Sequence, residues 1–189
     1  MGAAPVKAWR LNTRAELYAL EGEPPAPVAL GPLWCSGAIV PETTADIAPA
    51  QGLRSAVPVT IRARWSPLLR AGRYLSTAAG DLWHIDSVRD PDGRHTDMLC
   101  TTTALDGDLA TITPTTGSAY PVRAALIRDS ASIGTYAGGQ ELRTRIELAL
   151  IEAPRLVPGE RIAVAGHIWT VVESVDGSTD GVVYQVWVR

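Results

Sequence analysis

Apolar and polar residues alternate along most of the chain. In "VTIRARW", Val59, Ile61, Ala63 and Trp65 fall on one side and Thr60, Arg62 and Arg64 on the other. "RIELAL" sets Ile146, Leu148 and Leu150 against Glu147 and Ala149, and "GVVYQVWVR" gathers Val182, Tyr184, Val186 and Val188 on one face. A period of two is that of a strand with one buried face. Turn formers punctuate these runs at "PDGR" (from Pro91), "DGD" (from Asp106) and "DGS" (from Asp176). Short strands between such turns predict an all-β chain of the sandwich or barrel kind. Thr13 to Leu20, "TRAELYAL", reads differently. A Thr cap followed by Glu three residues on is a capping-box pattern and predicts a helix of one or two turns. The prolines of "EGEPPAPVALGP" end it, since proline has no N–H for a helix interior.

The pattern also repeats. "AGDLWHIDSV", Ala79 to Val88, returns as "AGHIWTVVESV", Ala165 to Val175. Upstream of the copies lie "PLLRAGR" from Pro67 and "PRLVPGE" from Pro154, both Pro-x-Leu-x-x-Gly. The glycines Gly72 and Gly159 are offset by 87 positions, and Trp83 and Trp169 by 86. A slip of one residue within a turn accounts for the difference. Each unit reads as strand, Pro-initiated turn, strand, Ala-Gly turn, Trp-bearing strand, acidic-Gly turn and final strand. Trp83 and Trp169 are then equivalent scaffold residues, each able to cover the end of a small barrel. The reading is two tandem small β-barrel or sandwich domains after a short N-terminal helical segment. The expected boundaries are 1–21 for that segment, 22–112 for the first barrel, 113–121 for a linker ("TPTTGSAYP") and 122–189 for the second barrel.

Two long stretches fit no strand pattern: Pro41–Pro58 and Ser130–Thr144. Each precedes the first clear strand of its repeat. Structureless loops of that length in small domains are usually functional or disordered, and the matching position suggests a shared role.

Composition narrows the chemistry. The chain has 189 residues, 46% of them hydrophobic and 20% charged, as a globular protein has. Its net charge of −3 argues against a broad basic nucleic-acid surface. No apolar leader region and no run of about 18 apolar residues occurs, which predicts a soluble protein made in the cytoplasm, without a membrane span. Cys35 and Cys100 form no C-x-x-C pair and read as free buried thiols. His84, His95 and His167 lack the close spacing of a zinc site. Asp81, Asp86, Asp90, Asp92 and Asp97 flank a turn and read as a solvated face; "DPDGRHTD" lacks the closing acid of a calcium loop. There is no G-x-S-x-G elbow and no phosphate-cradling loop with a following Lys. The expectation is a protein with no catalytic residues, no metal and no cofactor. "TIRARW", with Arg62, Arg64 and Trp65, offers a single-strand nucleic-acid surface as an alternative.

The order of these signals resembles two families. Leu33 to Thr103 resembles the head–tail adaptor (head closure) proteins of tailed bacteriophages. Trp34, Ile61, Arg62, Gly72, Ile85, Val88, Asp90, Asp92, Gly93, Arg94, Leu99 and Cys100 fit that pattern, and Trp83 replaces a smaller aromatic. The second half resembles the lambda-type head–tail joining (tail attachment) proteins, through "VRAALIRDSASIGTYAGGQ", "RLVPGERIAVAGHIWTVVESV" and "YQVWVR". Both families are small β-barrels that form rings in the phage neck.

The resemblance implies a virion structural protein of the head–tail connector that closes the filled head and attaches the tail. Its partners would be itself as a ring (hexamer or dodecamer), portal- or adaptor-side neck proteins, and the tail terminator or tail tube. DNA would pass through the channel without specific binding. A tail-terminator or tail-tube-like ring is the alternative placement. Residues of the two long stretches would face the channel or a neighbouring ring: Thr43, Asp46, Gln51 and Arg54 in the first, Tyr136, Gln140 and Glu141 in the second.

Overall fold

The computed structural model describes residues 11–37, 52–133, 140–175, 177 and 180–189. Among them are twelve strands: β1 Thr13–Glu21, β2 Ala26–Cys35, β3 Arg54–Arg64, β4 Tyr74–Thr77, β5 Leu82–Arg89, β6 Asp97–Leu105, β7 Asp108–Thr113, β8 Tyr120–Ile133, β9 Gln140–Ala149, β10 Arg161–Val164, β11 His167–Ser174 and β12 Val183–Val188. The fold is all-β, as the alternation predicts, and the strands close into two barrels. The first runs β1-β2-β3-β6-β5-β4; the second, starting at β7, runs β7-β8-β9-β12-β11-β10. The two strand orders are the same once six is added to each number.

The correspondence holds residue by residue. In the first barrel Gly72 N–H donates to the Ile85 carbonyl and Ile85 N–H to the Arg73 carbonyl, both at 2.8 Å. In the second, Gly159 donates to Val171 at 2.9 Å and Val171 to Glu160 at 2.8 Å. Ile85 therefore matches Val171, and Trp83 matches Trp169. Opposite them stand Leu75 and Ile162. Each Trp-bearing strand carries a bulge just beyond, between Ile85 and Ser87 and between Val171 and Glu173. Continued around each barrel, the registers pair Cys100 with Val186, Ile61 with Ile146, Cys35 with Ala124, Ala15 with Ala110 and Leu17 with Ile112. The circuit closes on Leu75 and Ile162 again.

The single-residue slip lies in the Ala-Gly turn. Thr77 N–H reaches the Asp81 carbonyl at 3.1 Å across three residues, Ala78 to Gly80. Val164 pairs with His167 across only two, Ala165 and Gly166. Both have positive φ, 51° and 77°, as a two-residue hairpin turn with the strands' twist requires.

Three expectations are corrected. Thr13–Leu20 is not helical but lies in β1, where Ala15, Leu17 and Ala19 point inward and Arg14, Glu16 and Tyr18 outward. Its Ala, Glu and Leu favour a helix locally, yet pairing on both edges, with β2 and β4, outweighs a weak propensity. The first barrel thus starts at β1 rather than at residue 22. The second unit takes Asp106–Arg189, so "TPTTGSAYP" is the β7–β8 hairpin turn and not a linker. Turn-forming composition is the same in a hairpin turn as in a linker, which is why it misleads here. Finally, the described residues of Ser130–Thr144 are strand: Ser130 to Ile133 pairs with Arg143 to Gln140 beyond a bulge.

The inner faces are apolar. Ile61, Leu75, Ile85 and Cys100 are fully buried in the first barrel, as are Ile112, Ile146, Leu148, Ile162 and Val186 in the second. Cys35 stands opposite Ala63 and Cys100 opposite Ile61, on the two sides of β3. Two strand spacings, roughly 9–10 Å, exceed the Cα separation of about 7 Å that a disulfide spans; both thiols are free. Burial pushes Cys35 from 9.0 up to about 11. Burial, and then the neighbouring Cys35, pushes Cys100 up to about 12. Raised values mean the neutral thiols favour the fold, fully below pH 9 and decreasingly as pH climbs towards 11–12. Native protein at pH 8 is therefore expected to resist thiol reagents at both cysteines and to react at both in denaturant. Rapid native labelling of either one would contradict this placement.

Candidate functional site

Trp83 packs in the first core, 9% exposed. Trp169, its positional equivalent, is half-buried with its ring 6.0 Å from that of His167. The two hold equivalent places in the strand order but differ in burial. Thr43, Asp46, Gln51 and Tyr136 lie outside the described residues. Arg54 opens β3 opposite Leu105. Gln140 and Glu141 open β9, opposite Ile133 and Ser132. The described part of the first stretch runs into β3, and that of the second belongs to the ends of β8 and β9.

The first stretch ends in a contact that the sequence did not announce. Residues 52 and 53 belong to the second unit, not to the first. Leu53 is fully buried, and its N–H donates to Glu147 Oε2 at 2.6 Å. Its carbonyl accepts the Asp106 N–H at 2.8 Å. The other Glu147 oxygen accepts from Gln185 Nε2 at 3.1 Å, and Gln185 Oε1 accepts from Arg145 at 2.9 Å. Arg145 in turn lies over the Trp187 ring, 5.6 Å from its centre. Glu147 alternates outward on β9 between Ile146 and Leu148, yet is only 8% exposed because this segment covers it. Two glycines make room. A Cβ on Gly52 would stand 2.5 Å from Glu147 Oε2, and one on Gly107 would stand 2.5 Å from a Leu53 methyl and 2.8 Å from the Ala124 carbonyl oxygen.

The histidines serve local structure. His84 Nδ1 meets Asp86 at 2.8 Å, and Asp86 also accepts from the Thr103 hydroxyl at 2.7 Å. Asp90 closes the β5–β6 turn by accepting N–H bonds from Asp92, Gly93 and His95 at 3.2, 2.9 and 3.1 Å. Desolvation works against its charge, but those three donors, with the His95 ring, outweigh it and hold the carboxyl below its usual value. Among the described residues, no group of three or more His, Cys, Asp or Glu is placed to hold a metal, and no helix is long and apolar enough to cross a membrane.

The outer walls carry the remaining features. Trp34, 50% exposed, pairs with Arg14 on β1. Carrying the Cys35–Ala63 register on by one residue sets it opposite Arg64. Trp65, one residue on and so turned to the other side of the wall, is 39% exposed, with its ring 5.3 Å from that of His95. Arg64, Arg94 and His95 are exposed. Arg14, Glu16, Tyr18, Ser76, Thr77 and Ala78 line a cleft of about 390 Å³ on the same barrel. On the matching wall of the second barrel, Leu109 stands where Arg14 does and Ala163 where Ser76 does. Leu109 and Ile168 are the most exposed large apolar residues described, at 79% and 72%. Compared with known proteins, the chain matches no family model, no curated protein and no solved structure.

Proposed function

We infer that the protein is a structural component of a phage virion, acting at the head–tail connector as a ring that closes the DNA-filled head and attaches the tail. The observation that carries this reading is the doubled barrel. Two copies of one six-stranded plan, each resembling a neck-protein pattern in the order of its sequence signals, share strand order and a bulge. Such a chain supplies walls and loops for contacts with neighbours and needs no reaction centre. Its net charge of −3 suits a channel along which DNA slides without being gripped. Deleting the gene in the producing phage tests the reading. Filled heads and separate, complete tails are expected, and the protein's density in intact virions should lie directly below the portal. Normal particles from the deletion, or virions lacking the protein, would overturn it; density on top of the tail tube would assign it to tail termination instead.

A further inference from the structure

We propose that Glu147 is the centre of a two-position latch. Its carboxylate either holds the Gly52–Leu53 segment or pairs directly with Arg145, and the segment leaves its seat as the arginine arrives. The latch is independent of the ring reading. Arg145 and Glu147 stand two residues apart on β9, with Trp187 and Gln185 opposite them on β12. Side chains so spaced share a face, and their Cα atoms are about 7 Å apart, within easy reach of an arginine. In the seated form Glu147 Oε2 accepts from the Leu53 N–H at 2.6 Å and Oε1 from Gln185 Nε2 at 3.1 Å. Arg145 bonds the other end of that amide, Gln185 Oε1, at 2.9 Å and lies over the Trp187 ring. The amide thus stands between two opposite charges that the strand places side by side.

The first barrel shows what such a pair does when nothing covers it. Arg14 and Glu16 on β1 have the same spacing and the same order, with side chains 64% and 42% exposed. Their charged atoms face each other directly, at 3.9 Å. What differs at Glu147 is the cover. Gly52 lies so close that a Cβ on it would stand 2.5 Å from Oε2, and the carboxylate is only 8% exposed. Unseating the segment without a replacement would leave Glu147 with one neutral donor. Arg145 supplies a charge-assisted bond in its place, so the segment can leave without stranding a charge. In the seated form the face of Trp187 gives the guanidinium its resting position. The latch is therefore reversible.

Hydrogen exchange at the Leu53 amide of the full chain reads the seat. Arg145→Met removes the competing charge and keeps an apolar stem. Protection at Leu53 is expected to rise about two- to fivefold, the effect of losing one exposed ion pair from the open form. Arg145→Lys keeps a charge within reach and should stay nearer the parent. If Arg145 only steadied Gln185, the methionine variant would loosen the seat and protection would fall. A fall, or no change, overturns the latch.

Gly52→Ala approaches the open form from the other side, because its Cβ has no room beside Glu147. Protection at Leu53 should be lost. Trp187 emission should shift as the guanidinium leaves its ring, read as the difference from the same variant carrying Trp187→Phe. Lost protection with unchanged Trp187 emission would overturn the exchange. Full protection would overturn it too, since the seat would then lack the close fit that makes the two positions exclusive. Thermal melts check that each variant folds; should Gly52→Ala fail to fold, the two arginine variants decide.

Discussion

Glu147→Ala is expected to destabilise the second barrel by about 2–4 kcal/mol, because it strips the acceptor from two donors at a buried site. The Leu53 N–H, at 2.6 Å, is a main-chain donor on a fully buried residue and has no route to water while the segment stays seated. The Gln185 amide loses its 3.1 Å bond to Glu147 at the same time. The cost is larger than for an exposed polar residue, since an unmet buried donor forfeits its hydration as well as its bond. Glu147→Gln keeps one acceptor oxygen and should cost less than half as much. Urea unfolding gives the difference in stability, and hydrogen exchange at the Leu53 amide reports the seat itself: protection should fall in the alanine variant before global unfolding. A Glu147→Ala midpoint within error of the parent would show that residues 52 and 53 are not held by this carboxylate. Gly107→Ala should act in the same direction, because its Cβ would press on a carbonyl oxygen at 2.8 Å, a backbone atom that cannot turn aside.

That seat also marks the limit of what the sequence discloses. Alternation read in "VTIRARW", "RIELAL" and "GVVYQVWVR" located strands correctly, because an inward residue at every second position is the condition for closing a barrel. The Ala-Gly/Trp repeat located the duplication, and its one-residue offset located a real difference in turn length. By contrast, Glu147 reads as an ordinary outward residue of its strand. Nothing local distinguishes an outward glutamate facing water from one covered by a Gly-Leu pair 94 positions earlier. Thr13–Leu20 failed for a related reason. Its composition suits a helix, and only its two neighbouring strands make it β1. The outer wall was half legible: Arg64 reads as outward from the alternation of its strand, whereas Trp34 comes opposite it only through the β2–β3 register. The channel-loop candidates Thr43, Asp46, Gln51 and Tyr136 lie outside the described residues.

The duplication makes a sharper prediction about the cores. Ile61 and Ile146 hold the same place, on β3 and β9, facing Cys100 and Val186 across the next strand, and both are fully buried. Replacing either by alanine removes three carbons from a closed barrel interior and should cost about 2–5 kcal/mol. The two costs need not match, since the cavity term depends on what lines it. Ile61 borders a cluster with Trp83, Leu75 and the two thiols, whose larger and softer groups can shift inward. Ile146 stands between Val186 and Leu126 on the neighbouring strands and shares its barrel with buried Ile112 and Ile162, branched aliphatic side chains with fewer rotamers to spare. Ile146→Ala should therefore be the more damaging of the pair. Hydrogen exchange assigns each loss: amides of β3, β5 and β6 should lose protection in Ile61→Ala, and those of β9, β11 and β12 in Ile146→Ala. A cost below about 0.5 kcal/mol at either position, the scale of an exposed substitution, would mean that the residue does not face a packed barrel interior. Equal loss of protection across both strand sets from a single substitution would mean that the two barrels unfold as one cooperative unit.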